Sequence, residues 1–149
     1  MTDTLHVVCP HCHTTNRVAR ARLTEGPVCG SCRKALLDGK PFPLTAADFD
    51  RHVAAGDLPL VVDFWAPWCG PCRSMAPAYA QAAAELAPSV RLAKVDTEAE
   101  PSLGARFGIR SIPTLVIYLR GREVARQSGA MSAGDLTRWI RASISAAGS

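Results

Sequence analysis

No apolar run in this 149-residue chain approaches the roughly 18 residues of a membrane span, and Met1 to Cys9 carry neither a basic n-region nor a useful apolar h-region. A spanning segment and a secretory leader are not expected; a cytoplasmic protein is. Aromatic residues are scarce at 6%, and none precedes Phe42, so the N-terminal third has no platform on which bases could stack. Charge is thin as well: residues 1–43 hold six Lys/Arg against three Asp/Glu, and the remainder is close to balanced. Arg17, Arg20, Arg22, Arg33 and Lys34 therefore read as a solvated basic face, and nucleic acid is not an expected partner. Nothing resembles a nucleotide-binding fingerprint, so no bound nucleotide is expected. What remains is 48% hydrophobic and 20% charged, as in a globular protein with one domain of about 100 residues and something small beside it.

The six cysteines are not scattered. They form three C-x-x-C pairs: Cys9 with Cys12, Cys29 with Cys32, and Cys69 with Cys72. In a reducing compartment such pairs point to metal or catalysis rather than to a disulfide framework. The first two give C-x2-C-x16-C-x2-C, a spacing that suits a four-thiolate zinc site, with Pro10 and Gly30 favouring tight knuckles. Between the knuckles only Val18, Ala19, Ala21, Leu23 and Val28 are apolar, too few to fold the segment, so metal would supply the folding free energy. A pair of labile disulfides is the alternative. His11 and His13 read as surface residues, since four cysteines complete a tetrahedral site. His6 and His52 have no partner at any recognisable spacing and read as satisfied or solvated. A zinc-binding unit over 1–37, a Pro/Gly-rich linker over 38–43 and a larger domain over 44–149 are expected.

The third pair has a different setting. Leu60 to Trp65 reads as a buried strand, and a helix continues from Pro71 through Met75, Tyr79 and Leu86, which places Cys69 at a helix N-terminus. Unpaired backbone N–H groups there stabilise a thiolate, making Cys69 the nucleophile and Cys72, one turn on, the more buried second thiol. Thr45 and Asp48 suggest a capped short helix ending near Gly56. Pro77 should kink the active-site helix. Val90 to Val95 reads as a second core strand, and Glu98 to Phe107 as a short helix stopped by Gly108. Thr114–Leu119 and Glu123–Arg126 form a hairpin turning at Arg120-Gly121-Arg122, and a last helix after Ser132 presents Leu136, Trp139, Ile140 and Ile144. The expected fold class is α/β: a mixed central sheet with helices on both faces, preceded by a small zinc-ribbon-like domain. Asp63, a carboxylate inside the buried strand, is costly there unless it is functional or paired.

The run Val62-Asp63-Phe64-Trp65-Ala66-Pro67-Trp68-Cys69-Gly70-Pro71-Cys72, with Lys94, Ser111-Ile112-Pro113-Thr114 and Gly129, resembles the thioredoxin family from about Phe42 to Ala146. With the cysteine-rich extension it is similar to the bacterial thioredoxin 2 type. The resemblance implies a thioredoxin fold and a cytosolic protein-disulfide reductase, a monomer, restored by an NADPH-using thioredoxin reductase and acting on a broad range of protein disulfides. It implies a cis Pro113 facing the sulfurs, and Asp63 beneath the dithiol, exchanging a proton with Cys72 while Lys94 moderates its pKa. It also implies a flat apolar substrate surface made by Trp68, Gly70, Pro71, Ile112, Pro113, Gly129 and Ala130, with the Ile112 backbone able to bond an extended substrate. Arg73 stands where many thioredoxins carry lysine. An oxidase or isomerase on the same fold is the near rival, although Gly70-Pro71 is the dipeptide of reducing thioredoxins. The distant rival is a zinc-dependent binding or sensor module (Cys9, Cys12, Cys29, Cys32) with the redox domain as passenger; a combined reading has the all-cysteine site release its metal on oxidation and so tune the neighbouring reductase.

Overall fold

In the computed structural model, which describes residues 3–148, the run Leu60–Trp65 forms β4, the middle strand of a five-stranded sheet ordered β3-β5-β4-β6-β7. An almost uninterrupted apolar run suits a strand covered on both faces. β5 (Arg91–Asp96) and the two-residue β3 (Phe42–Pro43) run parallel to it, β6 (Thr114–Leu119) runs antiparallel to it, and β7 (Arg122–Ser128) is antiparallel to β6. The β6–β7 loop is Arg120-Gly121, both with positive φ, as a tight two-residue hairpin requires.

Strand alternation sorts the side chains into two cores. Leu60, Val62 and Phe64 face α1 (Phe49–Ala55) and α3 (Pro101–Arg106), packing with Phe49, Leu103 and Phe107. Val61 faces α2 (Gly70–Leu86) and α4 (Ala133–Gly148), packing with Met75, Tyr79, Leu136 and Ile140. Only half of the expected capping pattern forms: Asp48 accepts from the Thr45 backbone N–H at 2.8 Å and from its hydroxyl at 3.0 Å, but Asp48 itself is the N-cap of α1 and no side chain caps the helix. Helix α2 runs on through Pro77 to Leu86, and α3 is shorter than its sequence pattern, starting at Pro101.

The N-terminal segment is more ordered than its cysteine spacing implies. Thr4–Val8 (β1) and Thr15–Ala19 (β2) form an antiparallel ribbon that leads into and out of the first knuckle. The stretch 38–43, expected as a linker, ends in β3, and Leu44 N–H continues the pairing to Lys94 O at 2.9 Å. Proline-rich sequence hid this strand because its only partner is distant in the chain. The ribbon also sits directly on the larger unit. His6 and Asp57 exchange backbone and side-chain hydrogen bonds, including His6 N–H to Asp57 Oδ2 at 2.7 Å and Asp57 N–H to His6 O at 3.0 Å. Leu58 joins Leu5, Val7, Val18 and Leu36 in the ribbon's core.

Candidate dithiol site and four-cysteine centre

Cys69 is the residue preceding α2 and takes the N-cap position, with Pro71 in the first helical turn. Its sulfur accepts the Cys72 backbone N–H at 3.3 Å and is joined to the Cys72 sulfur in a disulfide, the two Cα atoms 5.3 Å apart. One unpaired donor of the helix start is thus aimed at the sulfur, which is the local cause of a stabilised thiolate once the bond is open. Both residues are buried in a small cluster with Ala66, flanked by Trp65 and Ile112. The Cys69 sulfur lies 3.7 Å from the carbonyl oxygen of Ile112, and the Ile112–Pro113 peptide is cis.

Around the sulfurs the surface is open. Trp68 is 68% exposed, Gly70, Pro71, Gly129 and Ala130 are exposed, and Ile112 is half-buried, whereas Pro113 itself is buried. Gly129 N–H bonds Pro113 O at 2.9 Å, and φ +98° at Gly129 is a conformation that L side chains rarely adopt. The sequence therefore brings Trp68, Gly70, Pro71, Ile112, Pro113, Gly129 and Ala130 into one neighbourhood.

Asp63 shares the α2 side of β4 with Val61, and it is only 1% exposed. Neither carboxylate oxygen has a hydrogen-bond partner among the described residues. Burial pushes its pKa up to about 7, with the Lys94 cation pulling the other way. Lys94 is the register partner of Asp63 on β5, and its ammonium lies 4.3 Å from the Trp65 ring centroid. Sequence reasoning passed over Tyr79. Its hydroxyl is fully buried and donates between Ala93 O at 2.7 Å and Val61 O at 3.2 Å, bridging β5 and β4, the strand that carries Asp63. A tyrosine on a helix's apolar stripe gives no sign of where its hydroxyl ends.

The four N-terminal cysteines converge, their sulfurs all within 4.8 Å of one another. Cys9 and Cys32 sulfurs are 3.6 Å apart, and Cys12 and Cys29 sulfurs 3.5 Å. Four sulfurs held at about 2.3 Å from one zinc ion stand about 3.8 Å apart in a tetrahedron, so the donor set fits that ion. The two knuckles are built alike. Residues His13 and Arg33, each directly after the second cysteine, have positive φ, and their N–H groups bond Cys9 O and Cys29 O at 3.0 and 2.9 Å. Backbone N–H groups of His11 and Ser31 point at the Cys9 and Cys29 sulfurs at 3.3 and 3.4 Å. His11 is exposed, as its sequence reading implies. His13 is not a free surface residue. Its ring bridges Asp48 Oδ2 at 3.2 Å and His52 Nε2 at 2.9 Å, and Arg51 donates to its carbonyl at 3.0 Å. His52 is 2% exposed, and burial pushes its pKa down to about 3, so it is neutral. These partners are 35 or more residues from His13, beyond the reach of any local pattern.

Among the described residues no helix is long and apolar enough to cross a membrane. The thioredoxin family model matches residues 40–142, and the model for the N-terminal part of thioredoxin 2 matches residues 8–34. Thioredoxin C-3 of Corynebacterium nephridii is 46% identical over 134 residues, spanning 90% of this chain and 92% of its own. The thioredoxin of Porphyra purpurea is 42% identical over 102 residues, 68% of this chain and 95% of its own, and that of Rhodospirillum rubrum is 41% identical over 98 residues, 66% and 94%. A dithiol at a helix start beside a cis proline, on this sheet and behind a ribbon of four converging cysteines, is therefore carried by a chain that belongs to the thioredoxin family of disulfide oxidoreductases.

Proposed function

We propose that the protein is a cytoplasmic general reductant of protein disulfides, with Cys69 as nucleophile. The Cys69 thiolate attacks one sulfur of a substrate disulfide, and the other substrate sulfur leaves as a thiolate. Cys72 then loses its proton and attacks the Cys69 sulfur; the second substrate thiolate departs, leaving Cys69 bonded to Cys72 and two electrons on the substrate. Asp63 is the proton acceptor for Cys72, suited to the task because its pKa stands near the working pH. Lys94 limits that shift. Trp68, Gly70, Pro71, Ile112, Pro113, Gly129 and Ala130 form the surface on which an extended substrate lies, with the Ile112 backbone as its hydrogen-bond partner. A thioredoxin reductase that draws on NADPH restores the dithiol, and the chain works as a monomer.

The reading is carried by the position of the Cys69 sulfur, at the start of α2 and 3.3 Å from the Cys72 N–H. Residues 1–37 form the zinc-binding unit. Cys9, Cys12, Cys29 and Cys32 hold the ion, which supplies folding free energy to a ribbon with a small core of its own.

The test is NADPH-coupled reduction of insulin with a thioredoxin reductase, run beside Cys69→Ser. Turnover that disappears in the variant supports the reading. A zinc-loaded, folded wild-type protein that does not turn over rejects it.

A further inference from the structure

Arg91 opens β5, on the thioredoxin sheet, yet it is only 7% exposed and its Nη2 atom has no hydrogen-bond partner among the described residues. An unneutralised guanidinium in such a place is expensive, so a compensating negative charge is required. The side chain lies at the junction with the ribbon. With Pro10 of the first knuckle, Leu36, Asp38 and Phe42, it lines a cavity of about 20 Å³. The protein's own negative groups at this junction are the candidates for that charge.

Two negative groups bear on Arg91. Burial lowers its pKa to about 10, while the Cys9 sulfur first and the Asp38 carboxylate second oppose the drop. It stays charged at neutral pH. Asp38 is exposed and Cys9 is fully buried, so the field of the Cys9 sulfur is the less screened by water. Four thiolates around one divalent ion leave a centre of net charge −2, which the N–H groups of the knuckles offset only with partial charges. The rings between Arg91 and the second ligand form a ladder. The guanidinium carbon is 4.6 Å from the Phe42 centroid, Phe42 is 5.3 Å from His52, and His52 is 5.2 Å from His13, the neighbour of Cys12. His52 is neutral, which leaves Arg91 as the buried cation of this junction among the described residues.

We propose that Arg91 is the counter-cation of the four-cysteine centre: a residue of the thioredoxin sheet that offsets the charge of the loaded metal site and so couples metal retention to the seating of the ribbon. This rests on reading the four cysteines as a zinc site. Arg91 does not ligate the ion; it positions and neutralises the shell that does.

The experiment uses the full-length, zinc-loaded chain and Arg91→Lys, Arg91→Met and Arg91→Gln. Zinc transfer to a chromogenic chelator is followed with amide hydrogen exchange at His6 and Asp57, whose mutual bonds report ribbon seating. Loss of the charge in Met and Gln should speed zinc release about 10–100-fold, the usual cost of removing a partner just outside the ligands, and should deprotect both amides. Lys should stay within a few-fold of wild type. Gln reads the same charge loss if Met folds poorly. Unchanged release in the neutral variants overturns the proposal, and so does equal acceleration in Lys and Met, which would assign the effect to shape. A wild-type chain that binds no zinc overturns the zinc reading and this inference together, whereas bound zinc indifferent to Arg91 sinks the inference alone.

Discussion

Replacing Asp63 with Asn gives a prediction whose size and direction both follow from the site. In the folded protein its carboxyl titrates at about 7 instead of 3.8, because water is excluded and neither oxygen has a partner. Between those values the folded chain keeps a proton that the unfolded chain has released, so stability falls as pH rises through 7. The full span of the effect is about 4 kcal/mol, of which about 2 kcal/mol is lost between pH 5.5 and 8.5, nearly all of it before pH 8. Asparagine cannot ionise and removes this dependence. Urea unfolding of oxidised wild-type and Asp63→Asn protein at pH 5.5, 7 and 8.5 should therefore show the variant gaining about 2 kcal/mol on the wild type across that range. A difference that stays flat with pH would mean that Asp63 is ionised throughout, and would remove it as a proton acceptor at neutral pH.

Three further outcomes are expected. Cys72→Ser should accumulate a mixed disulfide with substrate through Cys69, visible as a mass increase that dithiothreitol reverses, because the resolving thiol is absent. Tyr79→Phe should cost about 1 kcal/mol in chemical denaturation, the net worth of a buried hydroxyl bond to carbonyls that already belong to the ladder. Gly129→Val should cost about 1–2 kcal/mol for a β-branched side chain at positive φ, and should raise the KM for insulin more than it lowers kcat, since the surface beside the sulfurs changes while the dithiol does not.

The strongest local signals were legible in the sequence for physical reasons. Leu60 to Trp65 is apolar on both faces because it is the middle strand, and Cys69 announces a helix start because Pro71 follows it. The metal knuckles are readable because two cysteines and a turn are a local arrangement. Three features escaped. β1 and β2 are short strands with little alternation, held by each other and by Leu58 from far along the chain. β3 is hidden by its prolines. Arg91 looks like an ordinary polar residue at a strand start, and only the docked ribbon turns it into a buried cation. What the sequence concealed is in each case a contact between distant segments, above all the junction at His6, His13 and His52.

The sheet's two borders bear on how the chain avoids edge-to-edge association. β3 on one border ends in Pro43, which has no N–H to offer, and Pro41 precedes it. β7 on the other carries Arg122, Glu123 and Arg126, two of them paired to each other. Neither border invites a stray extended chain to add itself to the sheet. Both edges of the sheet are thus closed to extended chains in general. The proposed docking at Ile112 then confines strand-like contact to one short stretch of backbone beside the reactive sulfur, where a client that pairs is also a client that can be reduced.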